Sequence, residues 1–202
     1  IALTADSLFR IYSMTKPITG TALMILVEQG KVSLSDPVAK YIPEFKKTMV
    51  LNSKTNQLEK LDREVTLLDL ATHSSGLTYS FVDRGKIKEL YDQEKIYPYY
   101  FLDNISLERP AKKSYTDICT LSEKVATLPL VHQPGEKWTY SIGMDILGCV
   151  VERASNLSFG EFLKKNIFDP LGMEDTFFEV PNSKQNRMID LYAHKKGMKN
   201  YG

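Results

Sequence analysis

Ser13, Met14, Thr15 and Lys16 form an S-x-x-K tetrad, and its two polar ends suit nucleophilic catalysis. Residues three apart on a helix share a face, so the lysine ammonium can reach the serine hydroxyl. At a helix N-terminus, free backbone N–H groups and the positive dipole end gather at the same point. They would stabilise the oxyanion formed when serine attacks an acyl carbon, usually the larger catalytic contribution. The tetrad alone is weak, because about one such match is expected by chance in a chain of this length. The alternative is an ordinary capping serine beside a solvated lysine.

Tyr140 is the second candidate. It follows the Pro134-Gly135 turn and precedes a capped helix, so its phenol would be held at a helix entrance facing the same cleft. Beside Lys16 it should ionise more easily, since a neighbouring cation favours phenolate. Taken alone, it is one of 11 tyrosines, and ring packing is the competing role. Asp145 reads as a solvated helix carboxylate, with support of the site as the alternative. The stretch Tyr97-Pro98-Tyr99-Tyr100-Phe101 offers Tyr97 and Tyr99 as an apolar wall for substrate, or else a satellite cluster under a long loop.

The elements that must position these residues follow from local signals. Pro17 belongs in the first turn of a helix, where its missing N–H has no intrahelical partner. The helix should therefore start near Ser13, run through Ile18, Ala22, Leu23 and Leu26, and stop at Gly30. Asp36-Pro37 reads as an N-cap and N1 of a short helix closed by Pro43. Asn52 to Asn56 reads as a hairpin tip. Thr66 with Asp69, Thr120 with Glu123, and Ser158 with Glu161 are capping-box pairs. The region from Thr78 to Lys113 reads as irregular. Ser141 should cap a helix running to Asn156, and another should end at Asp169-Pro170-Leu171-Gly172. The chain is expected to be helix-rich with few strands.

Composition sets the outer limits. The 202 residues carry 43% hydrophobic and 25% charged side chains, an ordinary globular mix. A globule of this size buries roughly 70% of its unfolded surface and needs no disulfide or metal. Net charge is +1, from 26 basic and 25 acidic residues, which gives no footprint for nucleic acid. No apolar run is long enough to span a membrane. Cys119 and Cys149 lie far apart and outside any C-x-x-C pattern, so both are expected as buried free thiols. There is no G-x-S-x-G elbow, no H-E-x-x-H and no Gly-rich phosphate loop. His73, His132 and His194 read as satisfied structural histidines. No cofactor or metal is expected.

Longer blocks then carry a resemblance. Phe9-Arg10-Ile11-Tyr12-Ser13-Met14-Thr15-Lys16-Pro17, Leu67-Leu68-Asp69-Leu70-Ala71-Thr72-His73-Ser74-Ser75-Gly76-Leu77, Pro134-Gly135-Glu136-Lys137-Trp138-Thr139-Tyr140-Ser141 and Phe168-Asp169-Pro170-Leu171-Gly172-Met173 occur in this order. Together they resemble the serine β-lactamase-related hydrolases, especially class C β-lactamases, β-lactamase-like carboxylesterases and penicillin-binding-protein-like members. The resemblance implies an α+β fold of the β-lactamase/transpeptidase type. It implies Ser13 as acylated nucleophile, Lys16 and Tyr140 as the base pair, and the Ser13 N–H as half of an oxyanion hole. The His73–Gly76 block is implied to be structural, shaping the wall near the site.

Two departures from the family pattern matter. Where lactamases carry Tyr-x-Asn, this chain has Ile142, which can neither donate nor accept a hydrogen bond. At that substrate-binding position the change tilts the expectation from lactams towards esters. The family's third motif, a Lys-Thr-Gly or His/Trp-x-Gly on a later strand, is not found. The chain is therefore expected to be one partial catalytic domain over residues 1–202, mainly the helical region with most of the central antiparallel sheet missing. Within it, residues 1–45 hold the nucleophile helix, 46–140 a mostly helical or irregular region, and 141–202 the return towards the α/β part. Such a piece is expected not to hydrolyse esters alone. The expected function is a serine hydrolase acting on a small-molecule ester. A β-lactamase or D-amino-acid peptidase, and a non-catalytic binding member of the family, are the alternatives. The resemblance leaves compartment open, since bacterial members occur in the cytosol and beyond the inner membrane. It also leaves open which of Lys16 and Tyr140 is the base.

Overall fold

The computed structural model describes residues 3–83, 85–96, 115, 117–190, 192–194 and 198–200. A 3-10 turn, Tyr12–Met14, runs directly into helix α1, Thr15–Glu28. This places Pro17 in the first helical turn, as its chemistry demands. Gly30 ends α1 with φ +67°. Its N–H donates to the Val27 carbonyl and that of Lys31 to Leu26, at 2.9 and 3.0 Å, which is a Schellman closure.

Strands β1, Met49–Leu51, and β2, Leu58–Lys60, pair antiparallel with Val50 opposite Glu59, and the hairpin tip lies where expected. Helix α2, Leu67–Ala71, opens on the Thr66–Asp69 capping box. Helices α3, Lys86–Gln93, α4, Ile118–Ala126, α5, Gly143–Ser155, and α6, Phe159–Leu163, follow. Ser158 and Glu161 form the capping box of α6, which continues as a π-helical turn to Phe168. A second antiparallel pair joins β3, Tyr192–His194, and β4, Met198–Asn200. No larger sheet occurs among the described residues. No described helix is long and apolar enough to cross a membrane.

Helix α5 is the axis of the core. It packs against α1, α2, α4 and α6 and buries Ile146, Leu147, Gly148, Cys149, Val150 and Val151. A helix apolar around most of its circumference is stable only when neighbours cover it on several sides. Leu23, Leu26, Leu67, Leu70 and Phe162 supply that cover.

Several local expectations are corrected. Cys119 and Cys149 form a disulfide, with Cα atoms 4.9 Å apart. Sequence distance hid the pairing, because α4 and α5 lie side by side. Pro37 is the N-cap of the short 3-10 helix Val38–Lys40 and is extended, since the Val38 N–H is drawn to the Val65 carbonyl at 2.8 Å. Pro43 opens the next 3-10 helix, Pro43–Lys47, instead of closing the first. Asp117, not Thr120, caps α4, its carboxylate accepting the Thr120 N–H at 2.7 Å. Ile142 is the N-cap of α5, with Ser141 one residue outside. The region after Thr78 is not all irregular: α3 forms there because Ile87 and Tyr91, four apart, bury one helical face.

Candidate active site

The start of α1 brings Ser13 and Lys16 to one face, and Lys16 Nζ donates to Ser13 Oγ at 3.2 Å. The hydroxyls of Ser13 and Tyr140 share a hydrogen bond of 2.6 Å. Lys16 Nζ also lies 4.7 Å from the Tyr140 ring centre and 5.5 Å from that of Tyr79, a cation–π arrangement on both rings. The three sequence candidates therefore meet at one point. Tyr12, immediately before Ser13, has φ +45°. For a non-glycine residue this backbone costs on the order of 1–3 kcal/mol and typically marks a functional constraint.

Tyr140 is delivered by a second, long-range framework. Asp69 is buried at 4% exposure and takes both Arg63 guanidinium nitrogens, at 2.6 and 2.8 Å. It also closes the Thr66 capping box. Its backbone carbonyl receives the Ser74 N–H at 2.9 Å, the Ser74 carbonyl receives Gly135, and the His73 carbonyl receives Thr139, the last two at 2.8 Å. Gly76, at φ +85°, lets the turn lie against His132, because a Cβ there would sit 2.2 Å from the His132 carbonyl oxygen. His132 Nε2 bonds Thr139 Oγ1 at 2.9 Å. The two sequence blocks around His73 and Tyr140 are thus one hydrogen-bonded unit, and Tyr140 rides on its edge.

His73 bonds Ser141 Oγ through Nδ1 at 3.1 Å, and its ring packs 5.0 Å from that of Tyr140. It supports the wall of the site and makes no bond to Ser13. Burial first, and the Lys16 charge second, hold the His73 imidazole below its ordinary pKa. For Tyr140, burial alone would raise the phenol. The Lys16 ammonium and the Ser13 hydroxyl outweigh it, so the pKa lies below the ordinary tyrosine value.

A cavity of about 590 Å³ opens beside these groups. Asp145 and Tyr79 line it, with the Tyr79 hydroxyl donating to Asp145 Oδ2 at 3.4 Å. This corrects the solvated reading of Asp145: its carboxylate faces Lys16 across the pocket, and burial raises its pKa despite the lysine charge. The available signal was an acid in the first turn of an otherwise apolar helix. Tyr79 was missed altogether; its only mark is its place three residues after Gly76. Ile142 is buried at 5% exposure within the hydrophobic core and is absent from the residues that line the cavity. Tyr97 and Tyr99 lie outside the described residues. No metal-binding cluster of acidic, histidine or cysteine side chains occurs among the described residues.

Comparison with known proteins follows the same geometry. The Beta-lactamase family model matches residues 1–199. Lovastatin esterase of Penicillium rubens is 35% identical over 199 residues, covering 95% of this chain and 45% of that protein. Esterase EstB of Burkholderia gladioli is 34% identical over 173 residues, covering 86% of this chain and 39% of that protein. The unliganded structure of simvastatin synthase (LovD) from Aspergillus terreus superimposes with a TM-score of 0.75 at 26% identity, covering 98% of this chain and 48% of that one. The fold is therefore of the β-lactamase/transpeptidase type, and this chain spans less than half the length of these relatives.

Proposed function

The chain belongs to the Beta-lactamase family, and on that premise we propose that it carries the nucleophile, lysine and tyrosine of a serine esterase or acyltransferase. The observation that carries this reading is the hydrogen-bonded cluster in which Ser13 Oγ meets both Tyr140 and Lys16, at 2.6 and 3.2 Å. Tyr140 is the base. Its phenol is the nearer group and its pKa is depressed, so phenolate is within reach with Lys16 as its counter-ion. The serine proton passes to Tyr140 as Oγ bonds the ester carbonyl carbon. The carbon–oxygen bond to the alcohol then breaks, and that alcohol leaves with the proton. Water, or a second alcohol, attacks the acyl-enzyme and restores Ser13.

The Ser13 N–H lies in the first turn, where backbone donors have no intrahelical acceptor, and serves as one oxyanion donor. Esters are favoured over lactams because the residue two beyond Tyr140 is Ile142, buried and without a polar atom to hold an amide. The named activities of the esterase relatives support the same choice.

The test is covalent labelling of the full-length protein with a fluorophosphonate probe. Mass spectrometry should place the adduct on Ser13, and Ser13→Ala should abolish labelling and lower ester turnover by a factor on the order of 10⁶. An unmodified Ser13, or turnover that survives Ser13→Ala, would overturn the reading.

A further inference from the structure

We infer that the cavity behind Ser13 is the acyl subsite and that it takes a bulky, apolar, uncharged acyl group, branched or aromatic. The inference rests on the serine-acylation reading above and names its substrate class. Ser13, Lys16 and Tyr140 line the space of about 590 Å³ together with the apolar side chains of Phe81, Ile118, Met144, Phe159 and Phe178. That volume falls in the range of roughly 300–1,000 Å³ typical of small-molecule pockets.

The order of the two half-reactions assigns the space to the acyl side. The acyl group stays bonded to Ser13 Oγ through both half-reactions, whereas the alcohol must depart before the second begins. The group that stays gains most from an apolar enclosure.

The apolar wall is also built to keep its shape. The Phe159 and Phe178 rings pack 5.6 Å apart. Ile118 and Phe159 close over Gly148, where a Cβ would meet Ile118 Cδ1 at 2.5 Å. The Cys119–Cys149 disulfide joins the residues next in sequence to Ile118 and Gly148. Such a wall cannot collapse onto a small acyl group, which would leave an unfilled void. A charged acyl group fares worse. The Thr19 and Tyr79 hydroxyls are already bonded to Thr15 and Asp145, Lys16 already serves Ser13 and Tyr140, and the Asp145 carboxyl lines the same space.

The test uses p-nitrophenyl esters with the full-length protein. Rates are normalised to fluorophosphonate-reactive Ser13 and corrected for each ester's spontaneous hydrolysis. The phenylacetyl and 2-ethylbutanoyl esters should exceed the acetyl ester at least tenfold in kcat/KM, and the hemisuccinyl ester should fall below it. Met144→Trp, which fills the space, should lower the phenylacetyl-to-acetyl ratio at least tenfold. Calorimetry adds a readout without turnover: Ser13→Ala protein should bind ethyl phenylacetate at least tenfold more tightly than ethyl acetate. Equal rates across the series, a ratio untouched by Met144→Trp, or equal binding of the two ethyl esters overturns the inference. If Ser13 labels and the series is flat, the acylation reading stands and only the subsite falls. If Ser13 does not label, the acylation reading itself fails.

Discussion

Ser13 and Lys16 are three residues apart, and one short segment fixes both. Tyr140 stands 127 residues from Ser13 and reaches the same point through Asp69, the His73–Gly76 turn and the segment from Pro134 to Thr139. The nucleophile side is exposed, begins with the left-handed Tyr12 and depends on helix periodicity. The tyrosine side is anchored on buried Asp69, Ser75 and His132, is held by backbone hydrogen bonds and depends on packing. The difference teaches that reactivity and rigidity are allotted to different parts of the chain. A surface serine can be replaced with little effect on folding, whereas the support of Tyr140 cannot.

That contrast can be broken experimentally, and the largest effect should come from the phenol. Tyr140→Phe keeps the ring packing and removes only the hydroxyl, so fluorophosphonate labelling of Ser13 at neutral pH should slow about 10²–10⁴-fold. In the native protein the labelling rate should rise with pH to a midpoint below the ordinary tyrosine value of about 10, because the proposed mechanism uses the phenolate and its pKa is depressed. Tyr140→Phe should lose that limb. Persistence of the limb in the variant would hand the role of base to another group.

A middle-sized effect is expected one layer further out. Asp69→Ala removes the Arg63 bidentate pair and the α2 cap together. Hydrogen bonds to charged groups are worth about 1.5–3 kcal/mol each, and Arg63 is 46% exposed on its side chain, so the loss per bond to it should sit towards the lower end. Denaturant unfolding should record it, and Ser13 labelling should slow alongside. Ser13→Ala should change unfolding by no more than about 0.5 kcal/mol. Comparable destabilisation by both variants would erase the distinction between the two sides.

The smallest effect concerns pH and stability. Because the folded His73 pKa is depressed, the unfolded chain takes up a proton at higher pH than the native one. The His73 contribution is therefore complete above the ordinary value of about 6.5 and is lost as pH falls through the lower, folded value. In His73→Gln the fall in melting temperature between about pH 8 and pH 5 should be shallower than in the native protein. An identical slope would remove His73 from the acid response.

Several features were readable in the chain because they obey short-range rules. The helix start around Ser13 followed from Pro17, its end from Gly30, and the caps at Thr66 and Ser158 from side chains that reach three residues ahead. The hairpin tip between β1 and β2 declared itself by turn residues. The misreadings share another cause. Cys119 meets Cys149 because two helices pack together. Pro37 stays extended because a backbone donor is taken by Val65. Asp145 was given to solvent because its helix lay in no known surroundings.

What the sequence determined by itself was that Ser13 and Lys16 meet, since helix geometry alone puts residues three apart on one face. It also determined the family, through ordered blocks of residues spread along the chain. Only the tertiary structure decided that Tyr140 comes within hydrogen-bond reach of Ser13, that Tyr79 and Asp145 join the pocket, and that apolar side chains line much of it. The physical reason is range. Hydrogen-bond periodicity along a helix is set by neighbours in the chain, but the burial of a charge and the meeting of distant side chains are set by whichever surfaces the hydrophobic core brings together.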